Sequence, residues 1–120
     1  MYGLPYCDAT KAAMEWFNEH KIAFELHDYK TSGIAAEKLQ AWCGQKGWET
    51  ILNKRSTTWR GLNADAQAAI TNENEAVKIM LLNTSLIKRP VIELDGNVMA
   101  VGVDKKKYKE VFTPIPYRGT

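Results

Sequence analysis

YGLPYCD, residues 2–8, combines a short apolar segment with a proline and a cysteine. Residues 1–4 predict a short strand, which runs through Pro5 to Cys7 and then into a helix. Thr10 or Asp8 can cap this helix, because a side-chain oxygen can accept hydrogen bonds from the free N–H groups of a first turn. The apolar face of the helix follows the three- and four-residue spacing, with Ala9, Ala13, Trp16, Phe17 and His20. Cys7 is therefore predicted at a strand-to-helix junction.

A second strand is predicted after this helix. Residues 23–26 alternate weakly in polarity and lead into His27-Asp28-Tyr29. Two parallel strands need a crossover connection, which is usually a helix. Strand, helix and strand in this order predict a parallel βαβ unit.

The middle of the chain, about residues 33–85, is predicted to be helical. Its helices each follow a polar residue and carry an apolar stripe. The first predicted helix follows Ser32, ends at Gly44 and Gly47, and has an apolar stripe of Ala35, Ala36, Leu39, Trp42 and Cys43. Asn63 is predicted to cap a short helix that runs through Ile70. Asn72 and Glu75 resemble a capping box for a third helix, whose apolar residues are Val77, Met80 and Leu81.

Strands return near the C-terminus. Residues 91–94 and 98–101 flank the turn pair Asp95-Gly96 and predict a β-hairpin. Asp104 can cap a last helix with Tyr108, Val111 and Phe112 facing inward, and the tail from Thr113 is predicted to be irregular. The order β-α-β, then helices, then β-β-α predicts an α/β, thioredoxin-like fold with an all-helical insertion, in a single domain spanning residues 1–120.

Composition narrows the function. The 120-residue chain has 45% hydrophobic and 25% charged residues, which is ordinary for a soluble globular domain. A net charge of +2 is too small to indicate binding to nucleic acid or to a membrane surface. No apolar run is long enough to span a bilayer and no leader opens the chain, so we expect a cytoplasmic protein. We also expect a monomer.

The two cysteines are predicted to differ. Cys7 lies where unpaired helix amides and the helix dipole favour a thiolate, although most cysteines are buried and inert. The polar neighbours of Cys7 favour the reactive interpretation. Cys43 lies on an apolar stripe beside Trp42, which favours a core position over a resolving thiol. Two Cys and two His fit no zinc-ligand spacing, so no metal site is expected.

The residues after Cys7 narrow its chemistry. Thr10 occupies the position of the second cysteine of a C-x-x-C dithiol, so the site is predicted to use a single thiol. Thr10 can hydrogen-bond the thiolate or cap the helix, and capping is favoured. A phosphatase loop, C-x5-R, would need an arginine where Ala13 stands, which excludes that class.

Two further segments are candidate parts of the site. Arg89-Pro90 precedes a strand, where the proline is either an ordinary trans residue or a cis one that sets the Arg89 guanidinium beside an anion. Residues 53–60, NKRSTTWR, form either an anion-binding loop or a solvated loop anchored by Trp59. Local sequence leaves both alternatives open.

Together these segments resemble the ArsC/Spx/YffB family, and its YffB branch in particular. The motifs occur in family order from Tyr2 to about Phe112: YGLPYCD, then HDYK (27–30), GWE (47–49), LNKRSTTWR (52–60) and KRP (88–90).

The resemblance implies a thioredoxin-like fold with a helical insertion, a cis Pro90 facing Cys7, and pairing of the Arg89 backbone with glutathione. Family arsenate reductases hold their oxyanion with three arginines. Here the first falls at Asn53, with Arg55 two places on, the second at Arg89, and the third at the apolar Val101. Because each charge-assisted contact contributes roughly 1.5–3 kcal/mol, the missing arginines make efficient arsenate reduction doubtful.

The expected function is a glutathione-dependent thiol/disulfide reductase with Cys7 as catalytic thiolate. Thr10, Asn53, Arg55, Arg89 and Pro90 are its expected substrate-binding residues. Glutathione or another small thiol or disulfide is the expected partner, glutaredoxin a further one, and no bound cofactor is expected. The alternatives are a non-enzymatic Spx-like interaction protein, although Thr10 removes the dithiol switch of Spx, and a weak arsenate reductase.

Overall fold

A computed structural model describes residues 1–112 of the chain, which form four strands and eight α-helices. The strands are β1 (Tyr2–Gly3), β2 (His27–Asp28), β3 (Val91–Leu94) and β4 (Asn97–Val101). The helices are α1 (Asp8–Glu19), α2 (Tyr29–Ser32), α3 (Ala36–Lys46), α4 (Trp48–Ile51), α5 (Thr57–Arg60), α6 (Ala64–Ala68), α7 (Glu73–Leu82) and α8 (Lys105–Phe112), with a 3₁₀ turn at Thr84–Leu86.

One mixed sheet has the strand order β2-β1-β3-β4. β1 pairs in parallel with β2 and antiparallel with β3, and β3 and β4 form the predicted hairpin. Asp95 and Gly96 turn this hairpin with φ of 51° and 83°, the positive values that a two-residue turn requires. The predicted βαβ unit and C-terminal ββα unit are therefore confirmed, and Cys7 lies just beyond the carboxyl end of β1.

The sheet separates two hydrophobic cores. On one face α1 and α8 pack through Ala13, Trp16, Phe17, Ile92, Ala100 and Tyr108. On the other face the helical insertion packs on the sheet through a larger set that includes Leu39, Trp42, Ile51, Met80, Val91 and Val98. A β-bulge at Met99, where Glu93 pairs with Val98 and Ile92 with Ala100, lets Val98 and Ala100 enter opposite cores.

The second strand was predicted from Ala23 through His27-Asp28-Tyr29, and only its His27–Asp28 part is a strand. The Met1 carbonyl accepts a hydrogen bond from His27 N–H and the Met1 amino group donates to the Glu25 carbonyl, at 2.7 and 2.9 Å. Ala23 and Phe24 extend past this last contact and have no ladder partner in the described chain. Sequence alternation alone therefore overstated the strand.

The helical predictions were partly right. Asn63, Asn72 and Asp104 accept hydrogen bonds from the first turns of their helices, as predicted. Ser32, however, ends α2 rather than preceding α3, which begins after Ala35 and runs through Gly44 to stop at Gly47.

Two predicted inward residues are exposed. His20 lies on the surface and stacks on the Trp16 ring at 3.9 Å between centroids. Leu81 is 38% exposed, because Val77 and Met80 already fill the face of α7 that meets the core. The predicted irregular tail from Thr113 lies outside the described residues.

Candidate thiol site

Cys7 is the N-cap residue of α1, with φ −78° and ψ 133°. Its backbone N–H donates to the Leu4 carbonyl at 2.9 Å, which closes the turn between β1 and α1. No side chain caps the first turn of α1, so its first backbone N–H groups are left free at the end of the helix that begins beside Cys7. Because α1 has 12 residues, its dipole also favours negative charge at this position.

Thr10 does not cap α1, so the favoured prediction for it was wrong. The side chain is fully buried, and its Oγ1 accepts a hydrogen bond from Leu4 N–H at 3.3 Å. A Cβ at Gly3 would come within 2.6 Å of this Oγ1, so only glycine lets β1 approach the helix so closely. Thr10 therefore ties the first turn of α1 to β1, and only its backbone N–H reaches the thiol.

The pKa of the Cys7 thiol is shifted in opposite directions by burial and by its polar neighbours. Burial alone would raise its pKa, but hydrogen bonds from the Thr10 N–H, the Arg89 side chain and the Ala9 N–H, together with the Arg89 charge, lower the pKa below its ordinary value. The balance favours the thiolate, which is the nucleophilic form of cysteine. The half-buried sulfur remains within reach of a substrate.

Arg89 reaches Cys7 from the segment before β3. Its Nη1 donates to the Ser85 carbonyl at 2.9 Å, which anchors the guanidinium, and Arg89 lowers the pKa of the Cys7 thiol. The Arg89–Pro90 peptide bond is cis, as the family resemblance implied. The Pro90 carbonyl accepts from Gly102 N–H at 2.8 Å, whereas the backbone N–H and C=O of Arg89 make no backbone hydrogen bond within residues 1–112.

Asn53 and Arg55 lie together in a neighbouring pocket. The Asn53 Oδ1 accepts from Arg55 N–H at 3.1 Å, and the Arg55 side chain is exposed. The pocket has a volume of about 420 Å³, and its lining residues are Glu49, Leu52, Asn53, Lys54, Arg55 and Lys88. Arg89 and the Thr10 backbone act on the pKa of Cys7, whereas Asn53 and Arg55 are not among the groups that shift it.

The loop at residues 53–60 is anchored by Trp59, as one of its two predictions had it, and its anion-binding role stays a prediction. Trp59 is buried, and the Lys54 ammonium lies over the rings of both Trp59 and Trp48, at 5.6 and 5.8 Å from the centroids. The loop is thus anchored by aromatic packing while it presents cations to the pocket. Val101, where the third family arginine falls, pairs with Val91 in the sheet.

Cys43 is buried in α3, and burial, with a smaller contribution from the Glu73 charge, raises its pKa to about 11. This agrees with the predicted core position. Sequence reasoning missed Ser85 as the anchor of Arg89, because a carbonyl acceptor leaves no side-chain signal. Lys54 and Lys88 were visible only as members of quoted motifs.

Across residues 1–112, no cluster of three or more His, Cys, Asp or Glu side chains is placed to hold a metal ion. Over the same range, no helix combines the length and the apolar character needed to cross a membrane.

The strand order, the crossover helix that starts at Cys7 and the cis proline before β3 place this chain in the thioredoxin-like class of α/β folds. Residues 2–111 match the ArsC family, and the chain belongs to that family. Both the predicted fold class and the family resemblance are confirmed.

Solved structures and sequence relatives agree with this assignment. A YffB protein of known structure is 43% identical, with a TM-score of 0.84 over 91% of this chain and 94% of that one. An arsenate reductase (ArsC) related protein from Brucella melitensis is 37% identical, with a TM-score of 0.74 over 94% of this chain and 92% of the other. The global transcriptional regulator Spx of Streptococcus agalactiae is 30% identical over 116 residues, 95% of this chain and 82% of Spx.

Proposed function

We propose that the protein is a glutathione-dependent thiol/disulfide reductase with Cys7 as its only catalytic thiol. One observation carries this proposal: the half-buried Cys7 lies at the N-terminus of α1, where two helix amides and Arg89 lower the pKa of its thiol, while Cys43 is buried in α3. A site of this kind favours attack on a disulfide by one thiolate without a resolving cysteine from the same chain.

The proposed reaction has two exchanges. The Cys7 thiolate attacks the glutathione sulfur of a mixed disulfide, forms a Cys7–glutathione disulfide and releases the substrate as a thiolate, which takes a proton from solvent. The thiolate of a second glutathione then attacks the glutathione sulfur of that disulfide, giving oxidised glutathione and restoring the Cys7 thiolate. The net change converts one mixed disulfide and one free glutathione into one substrate thiol and one oxidised glutathione, with Cys7 regenerated as the thiolate.

The surroundings of Cys7 offer contacts for glutathione. The backbone N–H and C=O of Arg89, which have no backbone partner within residues 1–112, can pair with an extended peptide, as in strand addition. The pocket with Lys54, Arg55 and Lys88 adjoins this segment in sequence and can accept the carboxylates of the tripeptide. Asn53 and Arg55 thus keep their proposed role as substrate-binding residues, and we propose that they bind parts of the substrate other than its reacting sulfur. Glutaredoxin is a further proposed partner.

Two alternative functions rest on the relatives. Similarity to the Brucella protein, an arsenate reductase (ArsC) related protein, favours arsenate reduction as an alternative function. Because Asn53 and Val101 supply no positive charge for an oxyanion, we propose at most a weak arsenate reductase activity. The Streptococcus relative favours a non-enzymatic Spx-like interaction protein. The buried Thr10 side chain leaves no second thiol at the head of α1 for a dithiol switch.

The test combines binding with turnover. Reduced glutathione and a glutathionylated peptide are titrated into isotope-labelled protein, and turnover is followed by coupling oxidised glutathione to its NADPH-dependent reductase. We expect shifts at Cys7, Arg55 and Arg89 and reduction of the peptide disulfide. Arsenate is offered as a second substrate in a parallel assay with added glutaredoxin. Silent spectra and no turnover of the peptide would overturn the proposal and favour the interaction protein.

A further inference from the structure

Thr58 and Ser85 share a hydroxyl contact that has no role in the proposed reaction. The Thr58 Oγ1 and Ser85 Oγ atoms lie 2.6 Å apart, although the residues are 27 positions apart in the chain. Ser85 Oγ donates in turn to Asn83 Oδ1 at 2.7 Å. Because a hydroxyl has a single proton, Ser85 cannot also donate to Thr58, so the Thr58 hydroxyl is the donor of the contact between them. A chain of hydrogen bonds therefore runs from Thr58 through Ser85 to Asn83.

Ser85 also holds Arg89 through its carbonyl. The carbonyl accepts a hydrogen bond from Arg89 Nη1 at 2.9 Å, while the hydroxyl of the same residue bonds Thr58 and Asn83. Ser85 lies in the 3₁₀ turn Thr84–Leu86, and so short a turn has few hydrogen bonds of its own. The side-chain contacts of Ser85 therefore help to fix the direction of the carbonyl that anchors Arg89.

Thr58 offers its hydroxyl from a well-anchored helix. α5 begins after Ser56, whose Oγ accepts from Trp59 N–H at 3.1 Å and donates to the Asn53 carbonyl at 2.9 Å. The Trp59 side chain, next to Thr58, is buried. Because its own helix is held by the core and by this cap, the Thr58 hydroxyl is a fixed point against which Ser85 can be oriented.

The position of Arg89 matters at the thiol. Cys7 packs against the hydrophobic core that also contains Leu86 and Val91, and these two residues flank Arg89 in the chain. Arg89 lowers the pKa of the Cys7 thiol. Since the attraction between opposite charges falls as their separation grows, a guanidinium that is held less firmly stabilises the thiolate less.

We propose that Thr58 is a positioning residue for Arg89: its hydroxyl orients Ser85, and the Ser85 carbonyl holds the guanidinium in place. The inference rests on the reactive Cys7 thiolate of the proposed function. It gives the loop at residues 53–60 two tasks, because the loop that presents Lys54 and Arg55 to the neighbouring pocket also fixes the arginine that acts on the thiol.

The test is the pH profile of Cys7 alkylation in Thr58→Val, read by peptide mass spectrometry. Valine keeps the shape of threonine and removes the hydroxyl, so we expect the profile to move to higher pH and the rate at pH 6 to fall about two- to threefold. Thr58→Ser keeps the hydroxyl and should retain the wild-type profile. A contact that serves stability alone would lower the melting temperature of Thr58→Val and leave its profile unchanged, which would overturn the inference.

Two controls isolate the path through Arg89. Thr57→Val removes the neighbouring hydroxyl, which is exposed and makes no hydrogen bond within residues 1–112, and should leave the profile unchanged. In an Arg89→Gln background, Thr58→Val should have no further effect, and a further shift of the same size would overturn the inference. Asp8 and Lys11, the charged side chains in the first turns of α1, are the same in every variant.

Ser85→Ala covers the case in which Thr58→Val does not fold. Alanine keeps the carbonyl that binds Arg89 and removes the hydroxyl that receives the Thr58 proton, so the same shift of the profile is expected. An acid-reactive Cys7 whose profile is unchanged by Ser85→Ala would overturn this inference alone. A wild-type Cys7 without reactivity at acid pH would instead overturn the thiolate of the proposed function.

Discussion

Cys7 and Cys43 are the same residue in two helical settings. Cys7 is the N-cap of α1, where the Ala9 and Thr10 amides and Arg89 lower its pKa against the effect of burial. Cys43 lies in the body of α3, where the amides are used by the helix itself and burial raises the pKa to about 11. The comparison teaches that position along a helix, together with one arginine, separates a nucleophile from a core residue.

Replacing each cysteine in turn is the strongest test that Cys7 is the nucleophile and Cys43 a core residue. Cys7→Ser should lower the turnover of glutathionylated peptide at least a hundredfold, because serine supplies no comparable nucleophile. Cys43→Ser is the matched control and should keep most of the activity while losing stability, since it buries a hydroxyl among apolar side chains. Equal losses of activity in the two folded variants would mean that Cys43 takes part in the reaction.

The same contrast predicts selective alkylation in the wild-type protein. At pH 6 iodoacetamide should modify Cys7 at least about tenfold faster than Cys43, because the thiolate fraction of Cys43 is far smaller and its sulfur is buried. The measurement is the rate of mass gain on each cysteine-containing peptide. In unfolded protein the two rates should converge, and similar rates in the folded protein would remove the basis for the Cys7 assignment.

Arg89→Gln isolates the arginine from the helix amides. Loss of the positive charge and of its hydrogen bond should raise the Cys7 pKa and slow alkylation at pH 6 about three- to tenfold. The fold should persist, and Lys88→Gln, next in the chain, is the charge-matched control. An unchanged pH profile would mean that the helix amides alone stabilise the thiolate.

Thr10→Val should have the smallest effect on reactivity and a clear effect on stability. Valine keeps the shape but leaves Leu4 N–H without its acceptor, so we expect a loss of about 1–3 kcal/mol in the free energy of unfolding. The Cys7 alkylation profile should move little, because the backbone N–H of residue 10 serves the thiol. Thr10→Ser keeps the acceptor and should retain most of the stability. A large shift in the profile of Thr10→Val would restore the side chain as a thiolate partner.

Much of the fold was predictable because its signals are local. The Asp95-Gly96 turn and the caps at Asn63, Asn72 and Asp104 depend on residues a few positions apart, and each was found. The second strand was predicted to begin too early, at Ala23, because the extent of a strand is set by its partner, and the partner Tyr2 lies more than 20 residues from His27.

Site residues could be predicted where a single residue or motif indicates the function, but not where the function depends on contacts between distant residues. Cys7 and Arg89 were identified from a junction and a motif, and the structure brings them together. The Thr10 hydroxyl was predicted to cap α1, but it accepts a hydrogen bond from Leu4 N–H instead. This contact depends on the close approach of β1 to α1 that Gly3 allows, which sequence does not reveal. The buried Tyr29 hydroxyl has no hydrogen-bond partner among residues 1–112, which sequence could not indicate because tyrosine is also an ordinary core residue.

The bulge at Met99 constrains how chains of this shape can change in length. With the extra residue, Val98 and Ala100 serve opposite cores, although they are two positions apart. Deleting one residue from β4 would restore plain alternation and turn one of these side chains away from its core. Insertions at the exposed Asp95-Gly96 tip leave both cores untouched. The hairpin can therefore be lengthened at its tip, whereas packing on both cores constrains the number of residues between Asn97 and Val101.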